Sequence, residues 1–304
     1  HFTLHYKTKK DNTWSFAIPK TAITTYSSSL KKRTKIKPQN NKEIQIYVES
    51  SKEVYKLSEP IDRIDRECNI HFDGIDYYIC VPTYIEQIDN STKSLVCALD
   101  PGIRKFQTLY DPENELAMTI GEGAATNLER YLFKLDFLIS KKTKTTGNYR
   151  KKIAKGIKKI RKRIKNLQTE LHHKVSNFLC KSYHNIILPI FHTKDMSRRR
   201  NRRLRTITVR HMMTLGHCKF RELLLITKAK KFKSNVIDQE ESYTSQTCSN
   251  CCTVTKIGSV EEWTCPKCIT FWDRDVNAAK NILLKNYGVY PYLIHPSCIK
   301  RTGA

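Results

Sequence analysis

Short stretches in which apolar and polar residues alternate follow one another through the first part of the chain. They read FTLHY at 2–6, WSFAI at 14–18, EIQIYV at 43–48 and DYYICV at 76–81. A period of two puts every second side chain on the same face of a β-strand. The pattern therefore predicts a small β-rich module over residues 1–92.

Apolar runs mark a second set of strands from residue 93 onward. LVCAL at 95–99 ends at Asp100 and a Pro-Gly turn, and FQTLY at 106–110 and ELAMTI at 115–120 follow closely. NIILPIF at 185–191 and SNVI at 234–237 are further strand candidates. Because helical segments are interleaved with these runs, the pattern predicts an α/β domain.

Between the strands, apolar residues recur every three or four positions, which is the spacing of one helix face. One such segment runs from Leu128 to Leu138 and the next from Ile153 to Phe178, with a polar break between them. The pattern predicts a helical hairpin. Two further helical segments are expected around residues 205–230.

The charge of the chain is strongly unbalanced, with 55 Lys and Arg against 29 Asp and Glu and a formal net charge of +26. Self-repulsion of this size favours a polyanionic partner, and nucleic acid fits best. No stretch approaches the roughly 18 consecutive apolar residues that a membrane span needs. Neither a membrane nor a small-molecule substrate is therefore expected as a partner.

The basic residues are concentrated in two segments. Ten Lys or Arg lie from Arg150 to Lys165 with no acid before Glu170, and seven Arg lie from Arg198 to Arg210. A merely solvated helix face would mix both signs, so nucleic-acid contact is the preferred interpretation. A shorter basic loop at 31–37 fits a phosphate contact and a solvated loop equally well. The predicted contact residues are Arg150, Lys151, Lys152, Lys158, Lys159, Arg161, Arg198, Arg199, Arg200, Arg202 and Arg203.

Two Cys-x-x-Cys pairs, CSNC and CPKC, are separated by thirteen residues near the C-terminus. Each tight turn aims two thiolates at one point, and four thiolates complete the shell of one zinc ion. The predicted ligands are Cys248, Cys251, Cys265 and Cys268, with Cys252 as a rival to Cys251. A redox pair would need a βαβ setting that this segment lacks. Because four cysteines leave no position open for water, the zinc is predicted to be structural.

Six other cysteines are scattered singly along the chain. Free cysteine is among the most buried residue types, so these are expected to be small core residues. They are Cys68, Cys80, Cys97, Cys180, Cys218 and Cys298. Such uneven spacing in a long chain predicts a reducing, intracellular compartment, with nucleus and cytoplasm both open. Since the chain begins at His1, we also expect a fragment of a longer protein.

Several carboxylates lie beside predicted strand ends and helix starts. Asp100 ends the LVCAL run, Asp275 opens a helix in DRDVNAAKNIL, and Asp238, Glu240 and Glu241 follow the SNVI strand. Hydrolysis of a phosphodiester by two Mg²⁺ ions needs about three converging carboxylates. Taken singly, each acid is better explained as an ordinary cap.

Taken together, these segments resemble the RuvC-like nucleases of the TnpB family, their eukaryotic and viral relatives called Fanzor, and the type V CRISPR effectors. The matching segments are ALDPGIRKF at 98–106, ELHHKVSNFLCKSYHNIILP at 170–189, ESYTSQTCSNC at 241–251 and CPKC with DRDVNAAKNIL at 265–283. The resemblance covers roughly residues 94–285. It implies a wedge-like nucleic-acid-binding module at 1–92, an RNase H-like (RuvC) nuclease domain at 93–242, a zinc ribbon inserted at 243–271, and the last motif helix and tail at 272–304.

The resemblance also implies a catalytic site that binds two Mg²⁺ ions. Asp100 matches the acid of the first motif, and Asp275 matches the acid of the third. The second motif departs from the bacterial pattern, because its strand usually ends in Glu-Asp-Leu whereas residues 188–191 read LPIF. Fanzor-like relatives supply a Glu from the segment before the ribbon, which implies Glu241, with Glu240 and Asp238 as fallbacks.

The implied function is a transposon-derived DNA endonuclease whose partners are a guide RNA and target DNA. A second hypothesis is a catalytically inactive, regulatory nucleic-acid-binding protein descended from such a nuclease, which the Pro at position 189 favours. A third is a DNA-strand-transfer transposase, although no nucleophilic Tyr or Ser motif supports it. No catalytic role is predicted for His192, His211 or His217.

Overall fold

The structure is a computed structural model of the 304-residue chain. It describes residues 13–25, 45–48, 53–56, 64–89, 92–191, 193–197, 204–240, 242–258 and 260–289. The chain divides into two compact units, residues 1–85 and 86–304.

The N-terminal unit contains two three-stranded antiparallel sheets, in the orders β1-β5-β6 and β2-β3-β4. A 3-10 turn at Lys20–Ala22 precedes the second strand. The strands are β1 (Trp14–Ile18), β2 (Ile23–Thr25), β3 (Gln45–Val48), β4 (Glu53–Lys56), β5 (Cys68–Phe72) and β6 (Tyr77–Cys80).

Three of the four strands predicted in this unit are present, as β1, β3 and β6, and FTLHY at 2–6 lies outside the described residues. The strands β2, β4 and β5, which have three, four and five residues, were not predicted from the sequence. The CNIHF sequence of β5 does alternate apolar and polar residues, so this strand was missed although its pattern was present. Ile18, Ile64 and Cys68 form the small core of the described part of this unit.

The second unit is organised around a five-stranded mixed sheet in the order β11-β10-β7-β8-β9. Its strands are β7 (Ser94–Pro101), β8 (Gln107–Asp111), β9 (Leu116–Ile120), β10 (Tyr183–Pro189) and β11 (Asn235–Gln239). The first three form an antiparallel meander, whereas β10 runs parallel to β7 and β11 parallel to β10. The predicted α/β class is confirmed at this level.

Seven helices lie in the described part of the second unit. They are α1 (Ala124–Thr143), α2 (Gly147–Ser182), α3 (Thr193–Ser197), α4 (Thr206–Leu215), α5 (His217–Leu223), α6 (Lys230–Phe232) and α7 (Arg274–Val289). The predicted helical hairpin corresponds to α1 and α2. The two segments expected around 205–230 correspond to α4 and α5, and a π-helical turn at Leu224–Ala229 continues α5 into α6.

The central strand β7 is buried on both faces, which explains why its sequence is a continuous apolar run. Val96 and Ala98 pack on one face with Ile282 of α7. Cys97 and Leu99 pack on the opposite face with side chains of α2 and α5. Successive residues of β7 therefore alternate between an α7 side and an α2 side.

Two side chains of α2 hold the end of α4. The side-chain amide of Gln168 donates to the carbonyl of Thr214 at 2.6 Å, and Nε2 of His172 lies 2.7 Å from the carbonyl oxygen of Leu215. The next residue, Gly216, adopts a left-handed conformation with φ 64° and separates α4 from α5. The hairpin and the shorter helices are thus joined by buried polar contacts.

A two-stranded antiparallel ribbon, β12 (Glu262–Thr264) and β13 (Phe271–Asp273), leads directly into α7. Within the described ranges, no helix combines the length and the apolar character needed to cross a membrane.

The scattered cysteines divide into two groups. Cys68, Cys97 and Cys180 are buried as predicted, whereas the prediction is wrong for Cys80 and Cys218, which are exposed. Cys80 ends an edge strand and Cys218 lies in the first turn of α5, so neither faces a core. Cys298 lies outside the described residues.

Candidate functional site

The four cysteines predicted to bind zinc lie together. The sulfur atoms of Cys248, Cys251, Cys265 and Cys268 are all within 4.8 Å of one another. The Sγ–Sγ distance is 3.6 Å for Cys248–Cys268 and 3.5 Å for Cys251–Cys265. Four Zn–S bonds of about 2.3 Å in a tetrahedron place the sulfurs about 3.8 Å apart. The donor atoms and their spacing therefore fit one zinc ion.

The two Cys-x-x-Cys turns have the same backbone hydrogen bonds. In each turn, the N–H of the residue after the second cysteine donates to the carbonyl of the first cysteine at 2.9 Å. These closing residues, Cys252 and Ile269, are both left-handed, with φ 59° and 56°. Cys252 is thus a turn residue and is exposed, and its sulfur is not part of the cluster, unlike that of Cys251.

Hydrogen bonds and burial shift the pKa values of the cluster thiols in opposite directions. The hydroxyls of Thr253 and Thr270 lie 3.3 and 3.2 Å from the sulfurs of Cys251 and Cys268. These hydroxyls lower the pKa of both thiols, that of Cys268 to about 6. Burial raises the pKa of Cys248 to about 11, although the Trp272 indole N–H lies 3.3 Å from its sulfur. Because metal binding requires thiolates, binding of an ion would remove the proton that burial favours on Cys248.

Two buried asparagines of α7 hold the start of the ribbon. The side chain of Asn277 accepts the N–H of Ser249 at 2.9 Å and donates to the carbonyl of Thr247 at 2.7 Å. Asn281 donates to the carbonyl oxygens of Thr244 and Thr247. Sequence reasoning missed both residues. The sequence feature that could have identified them is the presence of an asparagine on each side of the apolar AA pair at 278–279.

Asp100 lies at the carboxyl end of β7 and pairs across the sheet with Thr108. It is half-buried. Because side chains alternate along a strand, Asp100 shares the face of Val96 and Ala98, which is the face that α7 covers.

Asp275 lies in the first turn of α7, and Lys105 links it to the turn that follows Asp100. The Lys105 ammonium lies 2.9 Å from Oδ2 of Asp273 and 3.3 Å from Oδ2 of Asp275. Burial lowers the pKa of Lys105, but the two carboxylates outweigh burial and the net pKa is raised. Lys105 was not among the predicted site residues. Its position within the DPGIRKF segment, shortly after Asp100, is the sequence feature that could have identified it.

Asp273 caps the same helix. Its Oδ1 accepts the backbone N–H of Asp275 at 2.9 Å and of Val276 at 3.0 Å. Burial raises the pKa of Asp273, but Lys105 and these N–H groups outweigh that effect, and the net pKa is lowered. A charged carboxylate at a helix N-terminus is stabilised by the helix dipole.

The neighbouring strands carry no carboxylate at the corresponding position. Ile187 pairs with Ala98, so Pro189 comes level with Asp100 two residues later, and Pro189 pairs with Gln239 of β11. The carbonyl oxygen of the Gln239 side chain accepts a hydrogen bond from Asn286 of α7 at 2.9 Å. The positions level with Asp100 on β10 and β11 thus carry uncharged side chains.

The fallback acids have other partners. Asp238 pairs with Arg221 of α5, on the face opposite α7. Glu240 accepts a hydrogen bond from the Ser242 hydroxyl at 2.6 Å, and the Ser242 carbonyl accepts one from Lys285 of α7 at 2.6 Å. Glu241 lies outside the described residues, so its role remains a prediction.

The predicted basic face of α2 is accessible to solvent. Arg150, Lys151, Lys152, Lys159 and Arg161 are exposed, and Lys158 is half-buried. Ile153 and Ile157 of the same helix are buried, so the apolar stripe faces inward as predicted. The predicted contacts Arg198, Arg199, Arg200, Arg202 and Arg203 lie outside the described residues.

A cavity of about 240 Å³ lies at the carboxyl ends of β7 and β10, where its lining includes His217 and Phe191. Burial lowers the pKa of His217 to about 4, so its ring is neutral near pH 7. The ring stacks on Phe106 at a centroid distance of 5.0 Å and meets Phe191 edge-on at 4.9 Å. His217 therefore packs as a core side chain.

A protein-family model described as Cas12f1-like, TNB domain matches residues 217–282. The match includes α5, β11, the ribbon with its four cysteines and most of α7. Among solved structures, the cryo-EM structure of a Cas12f1–sgRNA–target DNA complex aligns with a TM-score of 0.49 and 14% identity, over 71% of this chain and 45% of that one.

Curated viral proteins are similar over a longer stretch. A TnpB-like protein of Acanthamoeba polyphaga mimivirus is 29% identical over 234 residues, which is 75% of this chain and 45% of that protein. A putative transposase of the same virus is 35% identical over 202 residues, which is 62% of this chain and 39% of that protein. The chain thus spans less than half the length of either relative.

Proposed function

Because the chain belongs to the TnpB family, which is related to the type V CRISPR effectors, we propose that it is a transposon-derived endonuclease directed to DNA by a guide RNA. The observation that carries this proposal is the contact of Lys105, in the turn after Asp100, with Asp275 at 3.3 Å. This contact supports the proposal because it joins the start of α7, which carries Asp275, to the turn that follows β7, the strand that carries Asp100.

The proposed metal site consists of Asp100, Glu241 and Asp275. Carboxylate oxygens are the ligands that Mg²⁺ prefers, and two of these acids stand on rigid elements, at the end of β7 and in the first turn of α7. When bound, two Mg²⁺ ions would activate a water molecule and stabilise the leaving 3′ oxygen. Lys105 pairs with both Asp273 and Asp275, so its positive charge offsets the repulsion between these two carboxylates.

The neighbours of Glu241 support its inclusion in the site. Ser242 is bonded through its carbonyl to Lys285 of α7, and Thr244 is bonded to Asn281 of the same helix. The segment that contains Glu241 is therefore attached to the helix that carries Asp275.

The zinc ribbon and the basic segments have supporting roles in this proposal. The zinc is structural, because four thiolates close its shell, and it fixes the loop between Glu241 and Asp275. The exposed basic face of α2 and the arginines at 198–203 contact phosphates of the guide RNA and target DNA. Base pairing with the guide then selects the sequence.

The nuclease assignment is tested with Asp100→Ala in the full chain, purified with its copurifying RNA and assayed on a guide-matched plasmid in Mg²⁺. Cleavage is expected to fall by about a thousandfold or more, since a metal ligand is lost. Asp238→Asn is the matched control, because that acid pairs with Arg221 on the other face and should leave cleavage intact. Equal cleavage by Asp100→Ala and the unaltered chain would remove the nuclease proposal.

One observation favours the alternative of an inactive nucleic-acid-binding protein, namely that Pro189 stands level with Asp100. In that case, the unaltered chain would bind a defined guide RNA and its matched DNA without cutting it. Cleavage by the unaltered chain separates the two cases, and loss of that cleavage in Glu241→Gln would support Glu241 as the third acid of the site.

A further inference from the structure

Three aromatic side chains are exposed around the turn of the helical hairpin. Phe133 and Phe137 lie one turn apart on α1 and are 60% and 64% exposed, and Tyr149 at the start of α2 is 51% exposed. The Lys141 ammonium lies 6.0 Å from the ring centre of Phe137 and 5.3 Å from that of Tyr149. Lys141 thus bridges the rings of Phe137 and Tyr149, and Phe133 lies one turn before Phe137 on the same side of α1. We refer to these three side chains as the aromatic surface.

This aromatic surface lies in the most basic part of the chain. From Phe137 to Thr169 there are thirteen Lys and Arg and no Asp or Glu. The acid just before this stretch, Asp136, is paired with Arg210 of α4. Arg163 of α2 also contacts the hydroxyl of Tyr131 on α1, whose pKa it lowers. The rings and the basic residues therefore occupy adjoining parts of the hairpin.

The combination of rings and cations selects one class of ligand. Thirteen cations in a stretch without an acid favour a polyanion over an apolar protein surface. Phosphate contacts alone would not need exposed aromatic rings, which stack well on nucleobases. Bases in a duplex are stacked on each other, whereas unpaired bases can be splayed onto a protein surface.

We propose that Phe133, Phe137 and Tyr149 form a stacking site for unpaired bases of a single-stranded nucleic acid, whose phosphates contact the basic residues of α2. The site rests on the nucleic-acid-binding part of the proposed function and does not require cleavage.

Binding to three fluorescent probes tests this site in the full chain: a single-stranded DNA oligonucleotide, the same strand with abasic positions, and the matching duplex. Each stacked base contributes about 1–3 kcal/mol, which corresponds to roughly 5- to 150-fold in affinity. The double variant Phe133→Ala, Phe137→Ala is expected to bind the intact strand at least about tenfold more weakly. Its affinity for the duplex and the abasic strand should match that of the unaltered chain.

Ile139→Ala is the matched control, because this residue is exposed on the same helix but has no ring. Phe137→Trp should retain binding to the intact strand. Compared with the double alanine variant, this result would show that an aromatic ring is required. Circular dichroism checks that each variant is folded.

Equal affinity of the double variant and the unaltered chain for the intact strand would overturn the stacking site, as would an equal loss on all three probes. Neither result would contradict the phosphate contacts or the nuclease proposal. If the unaltered chain bound none of the probes, the nucleic-acid-binding part of the proposed function would fall together with the stacking site.

Discussion

At the scale of single residues, the carboxylate of Asp273 has two roles at the start of α7. Asp273 caps the helix through one oxygen and binds Lys105 through the other. The position of Asp275 relative to the turn after Asp100 therefore depends on Asp273 and Lys105. Neither side chain needs to touch a substrate to affect the site.

Cys251→Ser and Cys252→Ser are expected to differ sharply in zinc content. A serine hydroxyl is a poor zinc ligand, so Cys251→Ser should lose most of the metal, whereas Cys252 is an exposed turn residue and Cys252→Ser should keep one zinc per chain. Metal content is measured by mass spectrometry after dialysis. Zinc loss in the Cys252 variant, or full zinc in the Cys251 variant, would contradict the ligand assignment.

At the scale of elements, the hairpin is fixed to the sheet domain where α2 meets the junction of α4 and α5. Gly216 at this junction has φ +64°, and a Cβ there would lie 2.3 Å from Nε2 of Gln168. That amide already bonds the carbonyl of Thr214, so it cannot move without losing a buried hydrogen bond.

Gly216→Ala and Gly147→Ala separate backbone strain from steric clash. Gly147 has φ +59° with open space around it, so Gly147→Ala should lower the free energy of unfolding by about 1–2 kcal/mol through strain alone. Gly216→Ala adds the clash with Gln168, and its loss should exceed that of Gly147→Ala by about 1 kcal/mol or more. Urea denaturation measures both. Equal losses would mean that the Gln168 contact adjusts at no cost.

Continuous apolar runs were sufficient to predict β7 and β10, because a strand covered on both faces is apolar throughout. The hairpin was predictable because burial of one helix face dictates apolar residues every three or four positions. The strands β12 and β13 have three residues each, too few to show a period. The four cysteines were predictable because metal geometry fixes their spacing. The orientation of Asp238, away from α7, was not predictable from the sequence, since a shift of one residue in register reverses the face of a strand. The contacts of Asn277 and Lys105 depend on loops that meet only in the folded chain.

At the scale of the whole molecule, the excess of cations makes any nucleic-acid complex depend strongly on salt. Each phosphate neutralised on a single strand changes the slope of log affinity against log salt by about 0.7. The ten cations from Arg150 to Lys165 would together give a slope of about −7 if each contacted one phosphate.

Replacing three exposed members of this stretch, Lys152→Gln, Lys159→Gln and Arg161→Gln, should reduce that slope by about 2. Lys174→Gln is the control on the same helix, because Lys174 is paired with Glu170 at 2.7 Å. Affinity for a single-stranded oligonucleotide is measured across a salt series. An unchanged slope in the triple variant would place the phosphate contacts elsewhere on the protein.

Helix α2 is long and unbroken. Its 36 residues extend for about 54 Å, and the stretch from Arg150 to Lys165 covers about 24 Å of that axis. A duplex rises about 3.4 Å per base pair, so this stretch is commensurate with about seven pairs. An α-helix has 3.6 residues per turn. Inserting four residues within the basic stretch would lengthen it and keep the cations on either side of the insertion on nearly the same face of α2. Inserting two residues would turn one group of cations to the opposite face.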